Sequence, residues 1–301
     1  MKLLLLALLL SPIAHGEAPT LTIGVLEELR ERDANTRVFV GTKNYKVHLR
    51  VMFRKRVLKW ESFPRLRDLA EAPDVFPKRG IWSACYQGKR VVSFESLNAP
   101  GYRLRSLIGS QVIPPQVKMP ATDIEGNKFA GWREEKAEVR PLVSTSGGRC
   151  DDVDYWRKDD PGNQKKEPLI ARLREELAKT TWIEFPENEM GTANGAGAKN
   201  YKFKDSDVTF GDFASARRSQ ARIATLKVKD TAGQNHDEVF FINALGELSY
   251  LGSSLYFLDA GDYDNSANST IVLRMQAQLR DGYVMVDHLG KRIADFYWSY
   301  E

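Results

Sequence analysis

Little in this chain points to chemistry directly. Cysteine is nearly absent: Cys85 and Cys150 stand alone in 301 residues. With no histidine or further cysteine at ligand spacing beside them, a structural zinc site is excluded. Histidine is almost as scarce, at His15, His48, His236 and His288. There is no Gly-x-Ser-x-Gly elbow, no His-Glu-x-x-His pair and no Gly-x-x-x-x-Gly-Lys-Ser/Thr loop, so the common serine-hydrolase, zinc-protease and phosphate-loop patterns are missing. Charge of one sign is missing too. Lysine and arginine total 44 against 40 acids, a formal net charge of +4, which dictates no nucleic-acid partner. Beyond the first residues no apolar run approaches the ~20 residues of a spanning helix. At 42% hydrophobic and 28% charged, the chain has a globular balance rather than a disordered or collagenous one.

What is present begins at the N-terminus. Met1-Lys2 is a short basic start, Leu3 to Leu10 is apolar, Ser11-Pro12 breaks the run, and Ala14-His15-Gly16 supplies small residues. This layout predicts a secretory signal peptide over residues 1–16, cut before Glu17, and hence an exported protein, periplasmic or secreted. In an oxidising compartment the isolated pair Cys85 and Cys150 is expected to bond, the alternative being two separate thiols, one or both buried.

The remainder reads as mainly β. Val47, Leu49, Val51 and Phe53 alternate with His48, Arg50 and Arg54, the pattern of a strand with one apolar and one charged, solvated face. Ile81–Tyr86 and Arg90–Phe94 flank Gln87-Gly88-Lys89, a hairpin signal. Leu169, Ile170, Leu173 and Leu177 share one helical face, predicting a helix near 168–179 with Pro168 in its first turn. A weaker helical pattern runs from Leu26 to Arg32. The small-residue stretch at 191–200 divides a mainly-β region, 17–190, from a region of repeated β units, 201–301.

Within that last region Gly211-Asp212-Phe213 is echoed 50 residues later by Gly261-Asp262-Tyr263. Strands follow in parallel: Ala224–Val228 with Thr270–Leu273, then Phe240–Gly246 with Val284–Gly290, then Leu248–Leu251 with Ile293–Tyr297. A repeated polar loop followed by about three strands points to propeller blades or a similar stack of antiparallel β units. The run from Leu258 to Thr270, centred on Gly261-Asp262-Tyr263-Asp264-Asn265, resembles the loop of FG-GAP/VCBS repeats, the blades of integrin-α-type β-propellers. The tail Asp281-Gly282-Tyr283-Val284 with Phe296–Tyr300 is similar to the end of exported bacterial proteins carrying such repeats. Arg140–Val143 with Asp154-Tyr155-Trp156 is similar to the same group. The resemblance implies a propeller-like fold and a calcium loop. Alternating oxygens at Asp262, Asp264, Ser266, Asn268 and Thr270 also suit calcium on chemical grounds, although two carboxylates make a weak site. Ser266, Ala267 and Thr270 depart from the family pattern. The same side chains equally suit a polar turn that bonds backbone amides.

Three further groups stand out. Asp151, Asp152, Asp154, Asp159 and Asp160 form an acidic cluster, either a solvated turn or a source of paired carboxylates for glycan cleavage. Residues 43–67 carry many cations against the single acid Glu61. Arg50, Arg54, Lys55 and Arg56 are its candidates for a basic surface that meets anions. Six tryptophans can fill core or stack on sugars. The resulting expectation is a non-enzymatic exported β scaffold with no assigned catalytic residue. It would bind protein or glycan rather than nucleic acid, with no integral membrane segment. The alternative is a cell-envelope enzyme acting on glycans through Asp151, Asp152 and Asp154.

Overall fold

The computed structural model describes residues 21–28, 47–63, 79–98, 109–112, 141–159, 163–177, 208–229, 235–277 and 280–299. The stretch 1–16 expected to be a signal peptide, the 191–200 stretch, Asp160, Trp132 and Trp182 lie outside these residues. Within them the chain is mainly β, with three antiparallel sheets and one helix.

The first sheet contains β1 (Thr22–Glu28), β2 (Val47–Arg56), β3 (Lys59–Ser62), β4 (Arg79–Tyr86), β5 (Lys89–Asn98), β6 (Ser110–Val112) and β7 (Leu142–Ser146). Its order is β1-β7-β4-β5-β6-β2-β3, and β1 also pairs β2. The Leu26–Arg32 helical reading is corrected here: Leu26 to Glu28 belong to β1. Two flanking strands satisfy that backbone, and pairing overrides a short local period. The solvated charged face of β2 is corrected as well. His48 to Phe53 are buried: Leu49, Val51, Met52 and Phe53 join the core shared with the third sheet, while His48 and Arg50 meet Glu27 and Arg50 also lies over Trp298.

The second sheet runs β12-β11-β10-β9-β8, with β8 (Arg157–Lys158), β9 (Val208–Ser215), β10 (Arg222–Lys229), β11 (Asn235–Ile242) and β12 (Leu248–Ser253). The third is β13 (Leu255–Gly261), β14 (Thr270–Ala277), β15 (Arg280–Val286) and β16 (Arg292–Ser299), paired in chain order. Strands β9–β12 and β13–β16 are therefore two successive four-stranded meanders, the repeated antiparallel unit that the sequence predicts. Their Gly-Asp pairs are not equivalent. Ser215 faces Arg222 and Gly261 faces Thr270, so Gly261 closes its strand while Gly211 lies within β9. The later hairpins do match. Asn243 N–H donates to the Glu247 carbonyl and Asp287 N–H to that of Lys291, while Gly246 and Gly290 both take positive φ.

The sheets stack by alternation. On the third sheet, Val272, Tyr283, Met285, Phe296 and Trp298 pack with the first sheet, while Ile271, Leu273, Val284 and Val286 pack with the second. The outer face of the second sheet carries Ala224, Leu226, Val228, Phe240 and Ile242, covered by Leu173 of helix α1 (Asn163–Leu177). This helix begins earlier than the sequence pattern predicts. Pro168 lies inside it rather than in its first turn and leaves one carbonyl without its helical donor. The polar opening Asn163–Glu167 carries no apolar marker of a helix face.

One end of the stack gathers the short connections. The Lys55 ammonium, next to the β2–β3 turn, reaches Asp264 in the β13–β14 loop at 2.7 Å. Gln87 N–H in the β4–β5 turn donates to Asp259 at 3.1 Å. Gly290 in the β15–β16 turn lies so close to Phe241, beside the β11–β12 turn, that a Cβ there would stand 2.2 Å from its ring.

Candidate binding end of the stacked sheets

The segment from Cys150 to Lys158 holds that end together. Cys150 is bonded to Cys85 of β4, as the sequence predicts, with Cα atoms 5.1 Å apart. The Asp151 carbonyl accepts from Asp262 N–H at 2.6 Å. Asp152 is buried. Its Oδ1 accepts from Ser269 Oγ at 2.8 Å and from Asp154 N–H at 3.1 Å, while its Oδ2 accepts from Trp156 N–H and faces the Arg157 guanidinium. Burial pushes the Asp152 carboxyl above its ordinary range, and these donors only partly offset it. Asp154 serves the other repeat: its carbonyl accepts from Arg217 N–H at 2.8 Å and its Oδ1 from Ser219 N–H at 3.2 Å. The acidic cluster is thus divided among turns. Asp152 holds the β13–β14 loop and Asp154 holds the β9–β10 turn.

The loop that resembles a calcium loop is knit by the same means. Asp262 Oδ1 accepts from Ala267 N–H, Asp264 Oδ1 from Ser266 N–H, and Asn268 Nδ2 donates to the Ser266 carbonyl. Asp264 Oδ2 accepts from Lys55. That bond and its ion pair hold the Asp264 carboxyl below its ordinary range, although burial opposes them. Burial moves Asp262 the other way, upward. Thr270 lies in β14, paired with Gly261. Among the described residues no group of three or more His, Cys, Asp or Glu is placed to hold a metal.

The expected basic surface at Arg50, Arg54, Lys55 and Arg56 is not one surface. Arg50 is only 2% exposed, which corrects its assignment: its Nε donates to Glu27 and its guanidinium lies over Trp298, 3.7 Å from the ring centroid. Arg54 and Arg56 both face Glu61, at 3.7 and 3.8 Å. Exposed cations gather elsewhere. Pairing of β8 with β9 sets Arg157 opposite Ser215, next to the turn that carries Arg217 and Arg218. Tyr155, Arg157, Lys158, Asp159, Ser215 and Arg217 line an open groove of about 350 Å³. Arg218 lies over the Tyr155 ring at 5.0 Å. The dipeptides Arg157-Lys158 and Arg217-Arg218 were the available sequence signal, but their convergence depends on a strand pairing.

The same end carries bare aliphatic side chains on its hairpin tips: Val57 is 95% exposed, Leu58 84%, Leu245 80% and Leu289 70%. Leu245 and Leu289 occupy matching positions in the two equivalent turns. The tryptophans Trp82, Trp156 and Trp298 fill core, and Trp60 is half-buried. His288 is exposed in its turn, whereas the side chain of His236 is outside the description. No helix of the described residues is long and apolar enough to cross a membrane, which leaves strand-built spans unaddressed. Comparison with known proteins finds no matching family model, no similar curated protein and no similar solved structure.

Proposed function

We propose that this chain is a non-enzymatic, exported binding protein whose β scaffold presents one end to a protein or glycan partner. The observation that carries the reading is the gathering of exposed Val57, Leu58, Leu245 and Leu289 on ordered hairpin tips at that end. Large aliphatic side chains cost free energy in water, and covering them on association recovers about 25 cal/mol per Å² of apolar surface. The bonded Cys85–Cys150 pair supports export, since such bonds persist in oxidising compartments. The FG-GAP/VCBS-like repeat remains part of the proposal, supported by the two successive meanders. A weak calcium loop at Asp262 and Asp264 would serve as a stabiliser of the same end.

The alternative, a glycan-cleaving enzyme, has one supporting observation: the raised pKa of Asp152, which would suit a general acid. Its carboxylate is committed to four donors, which favours the binding reading. The test is capture of the full-length mature protein on arrays of cell-envelope glycans and peptides. The triple variant Leu58→Asp/Leu245→Asp/Leu289→Asp should lose capture about tenfold or more, while Ile81→Asp, on a strand away from the tips, should retain it. Release of new reducing ends from a captured glycan would instead establish the enzyme.

A further inference from the structure

The groove between β8 and the β9–β10 turn has a chemistry of its own. Its wall supplies three cations, Arg157, Lys158 and Arg217, against one acid, Asp159. Arg157 is anchored: its guanidinium faces Asp152 and donates to the Gln87 carbonyl at 2.9 Å. Asp159 is also placed, accepting from Ser215 Oγ at 3.2 Å, with its N–H donating to the Phe213 carbonyl at 2.9 Å. Lys158 and Arg217 differ. Both are exposed, and neither side chain pairs with another described residue. Two cations from separate chain segments, without an ion pair among the described residues and converging on one hollow, attract an anion.

The remaining wall narrows the class. Tyr155 contributes an exposed aromatic ring and holds a left-handed backbone, φ 56°. Non-glycine residues adopt that conformation at a cost, and the Tyr155 N–H closes the preceding turn onto the Asp152 carbonyl. The ring lines the groove. Asp159 and Ser215 offer an acceptor and a hydroxyl beside it. A sugar ring matches all three: its C–H face packs on tyrosine, its hydroxyls meet Asp159 and Ser215, and an acidic substituent meets Lys158 and Arg217. The volume, about 350 Å³, falls at the small end of ligand pockets, which suits one or two sugar units. We propose that this groove binds an anionic saccharide, with Lys158 and Arg217 holding its carboxylate or phosphate and Tyr155 its ring. The assignment rests on the binding-protein reading above and names its ligand class.

Titration calorimetry on the full-length mature protein tests it. The probes are digalacturonate, glucose 6-phosphate, neutral cellobiose, inorganic phosphate and a short thymidine oligonucleotide. Saturable binding is expected for one or both acidic sugars, and the preferred one identifies the anion. Neutral cellobiose should bind at least about tenfold more weakly, the equivalent of one lost charged hydrogen bond. Lys158→Ala/Arg217→Ala should weaken the acidic sugar about tenfold or more. Tyr155→Ala should weaken the sugar while leaving inorganic phosphate within about twofold, since a bare anion needs no ring. All substituted side chains are exposed, and an unchanged unfolding midpoint will verify folding. Lys158→Glu/Arg217→Glu provides a second variant with the charge reversed.

Equal binding of cellobiose, no saturable binding of either acidic sugar, or tighter binding of the oligonucleotide would each overturn the saccharide assignment. Sugar binding unchanged in both charge variants would overturn the location. The broader reading fails separately. If array capture is lost in the leucine-tip variant but kept in the groove variant, the groove falls and the binding end stands. If neither variant matters, both fall.

Discussion

At the scale of single residues, the carboxylate of Glu27 joins the first and third sheets. It accepts from Arg50 and His48 of β2 and from Tyr283 of β15, all buried. Burial alone would raise its pKa. The Arg50 charge and the bonds from His48 and Tyr283 outweigh that and hold it well below its ordinary value of 4.5. His48 is pushed below its ordinary 6.5 by burial and by Arg50, against the pull of Glu27. Both shifts act in one direction. The unfolded chain takes up a proton on His48 as pH falls below 6.5, a proton that the folded chain binds only at lower pH. It takes up another on Glu27 below about 4.5, while the folded carboxylate stays ionised. The stability contributed by these two groups is therefore full above 6.5 and declines in two stages on acidification. Urea unfolding across this range should show both stages. His48→Gln should remove the first and spare the second. Glu27→Gln, which removes the carboxylate charge facing buried Arg50, should cost about 3–5 kcal/mol at neutral pH. A full first stage in His48→Gln would disprove the assignment.

At the scale of elements, the two matching hairpin turns separate conformational strain from collision. Gly246 and Gly290 have nearly the same φ, 77° and 82°. Alanine at either position incurs the left-handed penalty of about 1–2 kcal/mol. At Gly246 the added methyl meets the Arg172 guanidinium, the far end of a flexible side chain, whereas at Gly290 it meets the packed Phe241 ring. Gly290→Ala should therefore lose at least about 1 kcal/mol more than Gly246→Ala, read from chemical unfolding midpoints. Equal losses would mean that the Phe241 ring moves freely aside. The β13–β14 loop offers a second element-scale test. Lys55 neutralises Asp264, so a calcium ion must displace an ammonium that is already in place. Lys55→Ala should lower the unfolding temperature in EDTA, and millimolar calcium should restore more of it than it adds to the wild-type protein. Equal calcium shifts in both proteins would show that Lys55 does not control the loop.

At the scale of the whole molecule, short-range signals were legible and coverage was not. The Gly88 hairpin, the succession of β units and the cysteine pair were readable because each depends on neighbours in sequence or on the scarcity of alternatives. Alternation in β2 correctly marked two faces, but it does not report what lies against each. Burial of His48 and Arg50 depends on Glu27 from β1 and Tyr283 from β15, both distant in sequence. The groove was invisible for the same reason, since Lys158 and Arg217 meet only through the β8–β9 ladder. The stacking also sets how the molecule unfolds. The third sheet buries both faces, one against each neighbour, so neither neighbour can leave without exposing it. One cooperative transition is expected. The Cys85–Cys150 bond closes a separation of 65 residues and ties β4 to the segment that anchors both repeat loops. Its removal in Cys85→Ser/Cys150→Ser should lower stability by about 4 kcal/mol, chiefly by freeing the unfolded chain. Because the hydrogen bonds of Asp152 and Asp154 remain, the variant should still unfold in one step, with only the midpoint displaced. Coincident curves from tryptophan fluorescence and circular dichroism would bear this out. Two separated transitions would show instead that the covalent bond, rather than the shared faces of the third sheet, couples the layers.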